Sequence, residues 1–190
     1  SGKTTLLNLI SKKSSIQSGE ILYENKNLLN ISNTEFQKAI SFVEQNFKLP
    51  WLSTTVESYM NKHLNKYKHL KDIPGKIASI SRQMDIKHLL DVKLNKLTPG
   101  QLRWVVLATN IAADTKVLII DELEQHLSAY HIKILNKILY RKCNYDGVTL
   151  VASTQNKAFF QSHLASVIIT LENGKIFSVR SSNRKHQSSK

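Results

Sequence analysis

The chain has 190 residues, 41% of them hydrophobic, and carries 27 Lys and Arg against 14 Asp and Glu for a formal net charge of +13 at pH 7. That composition suits one domain with a sizeable core and excludes a disordered chain; the longest apolar runs, such as Val117-Leu118-Ile119-Ile120, fall far short of the ~18–20 residues of a membrane helix, and no stretch is laid out as a secretory signal. The single cysteine, Cys143, excludes an internal disulfide framework and fits a reducing compartment, while lysines scattered over Lys12, Lys26, Lys48, Lys62 and Lys66 read as a solvated surface, so nucleic acid is not expected as a partner.

Ser1-Gly2-Lys3-Thr4-Thr5 opens the chain, followed by Leu6, Leu7 and Ile10 at helical spacing. Gly-Lys-Thr is the last part of a phosphate-binding loop, in which backbone N–H groups at a helix start face phosphate oxygens. Lys3 would reach the β- and γ-phosphates and Thr4 would hold Mg²⁺. Alone, the tripeptide also fits an ordinary helix N-terminus. The first glycine of the motif would lie upstream of Ser1, so the sequence is expected to begin inside the loop, without the strand that feeds it.

Residues Gly19–Glu24 read as a strand, with a turn over Asn25-Lys26-Asn27. Ser32 and Glu35 form a capping-box pair for a short helix over Phe36–Ile40, and Ile40–Gln45 has strand character. Thr54 and Glu57 predict a second capped helix to about Lys66, Pro74 starts a third, and Ile86–Leu90 adds a turn or two. This helical, lysine-rich stretch, about 46–96, reads as a small lobe inserted into a sheet-based core. A helix over Leu102–Ala113 follows, then a nearly all-apolar strand Lys116–Ile120, a long helix Ser128–Cys143, and two more strands, Val148–Ser153 and Val167–Leu171, both expected to be buried. Glu172-Asn173-Gly174-Lys175 is a hairpin turn into Ile176–Val179, and the residues after it form a basic, Ser-rich tail expected to be disordered. The alternation of strand and helix predicts an α/β fold with a parallel sheet.

The apolar strand ends in Asp121-Glu122. In a phosphate-loop nucleotidase, an Asp at the carboxyl end of such a strand holds Mg²⁺ through water, and the following Glu polarises the attacking water as general base. Those roles fall to Asp121 and Glu122. A strand that merely ends in acidic residues at the surface is the alternative, weakened by the Gly-Lys-Thr that precedes it.

Taken in order, these motifs resemble the nucleotide-binding domain of ATP-binding cassette (ABC) proteins over nearly the whole chain. Ser1–Thr5 is similar to the end of the P-loop, Gln45 falls at the Q-loop glutamine, and Leu97-Thr98-Pro99-Gly100-Gln101 resembles the signature motif. Val117–Glu122 matches the magnesium-site strand, Leu127 lies in the D-loop, Val151–Gln155 resembles the segment ending in the switch residue, and Glu172–Ile176 the closing hairpin. The resemblance implies a P-loop NTPase core without its first strands, one cassette over 1–180 with a helical subdomain over 46–96, and a tail from 181 to 190. It implies ATP and Mg²⁺ as ligands. Ser1, Gly2, Lys3, Thr4, Thr5, Gln45, Thr98, Gly100 and Gln101 would contact ATP; Thr4, Gln45 and Asp121 would surround Mg²⁺; Glu122 and Gln155 would be catalytic. It also implies a head-to-tail dimer with a second cassette, identical or different, around two ATP molecules, and a membrane permease subunit docked near Asn46–Tyr59, including Trp51. Such a protein would sit at the cytoplasmic face of the cell membrane.

Several positions depart from the family pattern. Thr98 replaces a Ser and keeps the hydroxyl; Pro99 replaces a Gly, losing an N–H and stiffening the loop. Leu123 and Ser128 stand for the usual Pro and Asp of the D-loop. Gln155 stands for the switch histidine: it donates hydrogen bonds but carries no charge and shuttles no proton. The resemblance therefore implies an ATPase subunit of a transporter, with a cassette that binds ATP without turnover as the second reading. A ribosome-associated ABC-F-like cassette is the third, from the basic charge and Gln125-His126-Leu127. Glu122, His126 and His131 complete no metal ligand set, Cys143 reads as packing, and His63, His69, His88 and His163 read as solvated surface.

Overall fold

The computed structural model describes residues 2–48, 54–156 and 164–181. In chain order they form α1 (Lys3–Ile10), β1 (Leu22–Tyr23), β2 (Lys26–Asn27), α2 (Asn33–Ala39), β3 (Ile40–Val43), α3 (Val56–Leu64), α4 (Ile73–Gln83), α5 (Pro99–Ala112), β4 (Val117–Ile120), α6 (Ala129–Asn144), β5 (Thr149–Ala152), β6 (Val167–Glu172) and β7 (Lys175–Ser181). Ser1, Pro50, Trp51, His163 and the tail after Ser181 lie outside the described residues, and so do the expectations that fall on them.

The helix starts follow short polar signals. Ser32 accepts the Glu35 N–H at the start of α2, Ser128 accepts the His131 N–H at the start of α6, and Asp72 accepts the Gly75 N–H ahead of α4. The cap of α3 is Thr55, not the expected Thr54: its Oγ1 accepts the Ser58 N–H at 3.2 Å. The carbonyl of Thr54 instead accepts the Leu94 N–H at 2.9 Å, which fastens the end of the lobe beside the start of α3. The strand expected over Gly19–Glu24 shortens to Leu22–Tyr23. Its turn falls on Glu24 and Asn25, whose φ of 49° and 60° make the left-handed pair of a two-residue hairpin.

β3, β4 and β5 form a parallel sheet in that order, with Val43 opposite Ile120 and Ile120 opposite Ala152. β4 is central, which is why its sequence is a continuous apolar run. β5, expected to be buried, is half-exposed because β4 is its one partner among the described residues. Val167–Leu171, expected as a further buried strand, lies in β6, which pairs with β7 in a separate antiparallel hairpin. Asn173 and Gly174, with φ of 47° and 75°, make its turn. Val167, Ile169, Ile176, Phe177 and Val179 on this hairpin are exposed. An apolar slot of 490 Å³ separates β5 from β6, lined by both strands together with Lys3, Leu6 and Leu7 of α1.

α5 ties the parts together, and ten of its residues are buried. One apolar cluster runs from Val56, Met60 and Leu64 of α3 through Ile77 and Ile80 of α4 to Trp104 and Leu107 of α5, and on to Val43 and Ile120 of the sheet. Trp104 Nε1 donates to the Met84 carbonyl at 2.8 Å, which satisfies its one polar group inside that cluster. His63 is not the solvated residue expected. It packs between the rings of Tyr59 and Tyr67 with Nε2 buried and without a partner, and burial, assisted by Lys66, pushes its pKa down to about 4. His69 is exposed, as expected, and its Nε2 lies 2.9 Å from the Ala113 carbonyl oxygen. No helix among the described residues is long and apolar enough to cross a membrane.

Candidate functional site

The carboxyl ends of β3, β4 and β5 bring Gln45, Asp121-Glu122 and Ser153-Thr154-Gln155 to one end of the sheet, where parallel sheets place ligands. Asp121 is 1% exposed. Its Oδ1 accepts the Ser153 hydroxyl at 2.5 Å, while Oδ2 is buried without a hydrogen-bond partner. Such an orphaned carboxylate oxygen is costly in an empty interior and is satisfied by a cation or its bound water. The same Ser153 Oγ accepts the Glu122 N–H at 2.8 Å, and the Ser153 carbonyl accepts the Leu123 N–H at 2.9 Å. These bonds hold the chain where it turns sharply out of β4. Glu122 sits at φ 50°, a left-handed conformation that costs a non-glycine residue on the order of 1 kcal/mol and persists only where neighbours over-determine it.

The Glu122 carboxylate is engaged. Gln155 Nε2 donates to Glu122 Oε1 at 2.5 Å. Gln155 is itself held from below: Glu124 Oε1 accepts its backbone N–H at 3.0 Å, that of Asn156 at 3.2 Å, and the Thr154 hydroxyl. The second Glu124 oxygen is buried without a partner.

A charged side chain underlies the site. Arg103 of α5 is 4% exposed. It donates from Nη1 to the Glu44 carbonyl at 2.6 Å, and from Nη2 to the carbonyls of Asp121 at 2.6 Å and Glu122 at 2.9 Å. Burial pushes its pKa down to about 10, and the carboxylates of Asp121, Glu122 and Glu124 oppose that shift. One guanidinium thus joins the exits of β3 and β4 to α5. Gln45 follows Glu44 directly and is half-buried; the Glu44 carboxylate pairs with Lys13, whose ammonium lies 4.8 Å from the Phe42 ring centroid.

α1 starts at Lys3 behind Gly2, whose φ of 89° requires a residue without a Cβ. No side chain caps this helix start, and a helix N-terminus favours an anion. Lys3 lines the same cavity as β5 and the residues that follow it, Ser153 and Thr154. Thr4 and Thr5 are exposed.

Thr98, Pro99, Gly100 and Gln101 are the first turn of α5, one turn earlier than the expected start at Leu102. Thr98 Oγ1 accepts the Gln101 N–H at 3.3 Å and Gln101 Oε1 accepts the Thr98 N–H at 3.0 Å, a reciprocal capping box. Pro99 at the first helical position forfeits no intrahelical bond, since that N–H has no partner in any helix. A Cβ on Gly100 would lie 3.0 Å from the His126 carbonyl oxygen, so glycine there lets the 123–128 loop approach α5.

Three residues that organise this site had no role in the sequence reading: Arg103, Ser153 and Glu124. A charged residue inside the apolar run of α5 was the one signal for Arg103. Ser153 and Glu124 carried none, because a Ser or Glu beside a strand end is ordinary surface composition.

The model of the family described as ABC transporter matches residues 1–125. The chain is 28% identical over 153 residues to the cytochrome c biogenesis ATP-binding export protein CcmA of Rickettsia felis, covering 80% of this chain and 74% of that protein. It is 30% identical over 182 residues to the probable sulfate/thiosulfate import ATP-binding protein CysA of Chlorella vulgaris, covering 95% of this chain and 75% of that one. Other relatives are longer proteins of which the chain spans 30% and 27%. Among solved structures it resembles a dimeric ATP-binding cassette in a post-hydrolysis state bound to ADP and Pi. The TM-score is 0.81 at 22% identity, covering 95% of this chain and 80% of that one.

Proposed function

Because the chain belongs to the ABC transporter family, we propose that it is an ATP-binding and ATP-hydrolysing cassette that drives a transporter through separate membrane subunits. The observation that carries this reading is the pairing of an orphaned, buried Asp121 oxygen with a neighbouring Glu122 carboxylate at the mouth of a parallel sheet. The donor set there consists of hard oxygens, which fits Mg²⁺; Asp121, Thr4 and Gln45 would hold it, and the ion would offset charge on the β- and γ-phosphates. The N–H groups of the α1 start, from Gly2 to Thr5, receive phosphate oxygens, and Lys3 adds a point charge. Glu122 takes the proton of the attacking water as general base. Gln155 orients that water or the γ-phosphate with one N–H while the other stays on Glu122.

Thr98, Gly100 and Gln101 sit at a helix N-terminus whose dipole favours an anion, and would face the nucleotide of a second cassette. Their side chains are joined in the capping box, so the approach of a γ-phosphate would compete with the Thr98–Gln101 bond. The permease would dock beside 46–59, where Phe47 and Tyr59 stack edge to face with centroids 5.4 Å apart. A transporter cassette of this kind works at the cytoplasmic face of a membrane. The second reading, a cassette that binds ATP without turnover, is favoured by Gln155, which shuttles no proton.

Steady-state Mg²⁺-ATP hydrolysis by the full-length protein and by Glu122→Gln tests the two. Turnover that disappears in Glu122→Gln supports the motor. Nucleotide binding by both without turnover by either supports the second reading.

A further inference from the structure

We propose that Glu124 is a positioning residue for the reaction, acting on Glu122 through Gln155. The proposal deepens the hydrolysis reading and rests on it for its kinetic part. Glutamine has one more rotatable side-chain bond than histidine and no ring to pack, so a glutamine that must stay on Glu122 needs its backbone fixed. Glu124 supplies that restraint. Its Oε1 gathers the N–H groups of Gln155 and Asn156, at 3.0 and 3.2 Å, and the hydroxyl of Thr154, so a single carboxylate organises the whole turn after β5. Charge-assisted hydrogen bonds of this type are about twice as strong as neutral ones.

The arrangement runs in one direction. Glu124 touches the turn, the turn sets the Gln155 side chain, and the Gln155 carboxamide donates to Glu122 Oε1. Glu124 leaves the strand end only two residues after Glu122, and Arg103 bonds to the Glu122 carbonyl. The general base is therefore clamped through its backbone by Arg103 and Ser153, and through its carboxylate by Gln155 under the control of Glu124. Because Glu124 belongs to the 123–128 loop that abuts Gly100, movement at the start of α5 would reach Gln155 by the same route.

The test combines a spectroscopic and a kinetic measurement on the full-length protein. The side-chain amide resonance of Gln155 is followed by nitrogen-15 NMR without nucleotide. In Glu124→Ala it is expected to move to the position it takes in Glu122→Ala, and in Glu124→Gln, which keeps an acceptor oxygen, to stay near that of the unmodified protein. Backbone resonances elsewhere report that each variant is folded. In Mg²⁺-ATP hydrolysis, Glu124→Ala is expected to lower kcat about tenfold with KM little changed, and to add no further loss to Gln155→Ala. An unmoved Gln155 resonance in Glu124→Ala overturns the proposal, and so do additive losses in the double variant. If the resonance moves as expected but the unmodified protein has no turnover, the hydrolysis reading fails while the positioning of Gln155 by Glu124 stands.

Discussion

The Gln155 carboxamide donates to the Glu122 carboxylate at 2.5 Å, across 33 positions of sequence. A residue that cannot ionise thus occupies the place from which the proposed general base would be oriented. Glutamine can donate to Glu122 and to a phosphate oxygen at once, but it could not relay a proton that Glu122 would accept in the proposed reaction.

Gln155→Ala is accordingly expected to lower ATP turnover by about ten- to a hundredfold, a part of the roughly hundred- to ten-thousandfold that general acid–base catalysis contributes. Gln155→His installs the histidine that the family resemblance implies for the switch position. It is expected to match or exceed the unmodified rate and to introduce a pH dependence near neutrality that the glutamine form lacks. Rates of the three proteins measured across pH 6–8 decide the matter; an unchanged rate in Gln155→Ala would place Gln155 outside the reaction.

Arg103 contributes mostly to stability. Arg103→Met leaves the carbonyls of Glu44, Asp121 and Glu122 without the donors they have now. Leaving buried acceptors unsatisfied is expected to cost about 2–4 kcal/mol in total, read as a lower urea midpoint. Arg103→Lys keeps the charge but cannot span all three acceptors, and should lie between the two. A loss under ~0.5 kcal/mol in Arg103→Met would show that the exits of β3 and β4 hold together without it.

His63 predicts a pH dependence of stability. Its pKa of about 4 lies below the ordinary 6.5 because burial disfavours the charged ring. The unfolded chain therefore binds the proton first as pH falls. The stability tied to neutral His63 is complete above about pH 6.5 and is lost progressively between about 6.5 and about 4, by roughly 3 kcal/mol. His63→Phe, which keeps the ring between Tyr59 and Tyr67, should flatten that decline. Denaturation midpoints of both proteins at pH 7, 6, 5 and 4 provide the comparison, and parallel curves would remove His63 as the cause.

The slot between β5 and β6 predicts association. Each strand has a single partner among the described residues, and both line one apolar cavity of 490 Å³ with Lys3 at its wall. Unpaired edges of this kind recruit further strands. The chain is expected to self-associate, with Ile168→Lys, in the slot wall, reducing the association. Sedimentation at two concentrations measures the effect; a monomer at both would contradict it.

Short-range signals carried much of the fold in this chain. The helix that begins at Lys3, the caps at Ser32 and Ser128, the apolar run Val117–Ile120 and the Asn173-Gly174 turn are each legible within a few residues, because spacing and capping act over one or two turns of backbone. The order of Gly2-Lys3-Thr4, Gln45, Thr98–Gln101, Asp121-Glu122 and Gln155 was enough to reach the family.

Other features were decided by tertiary structure. Whether β5 is buried depends on what lies beside it, and whether β6 joins the parallel sheet depends on pairing across the fold; neither is written in the strand itself. His63 looks like any lysine-flanked surface histidine until Tyr59 and Tyr67 enclose it. The polar contacts that organise the site are longest in range: Arg103 meets a carbonyl 59 positions away, and Ser153 meets Asp121 across 32. Such contacts leave no local pattern, because any Arg or Ser can make them and only the folded chain brings the acceptor within 3 Å.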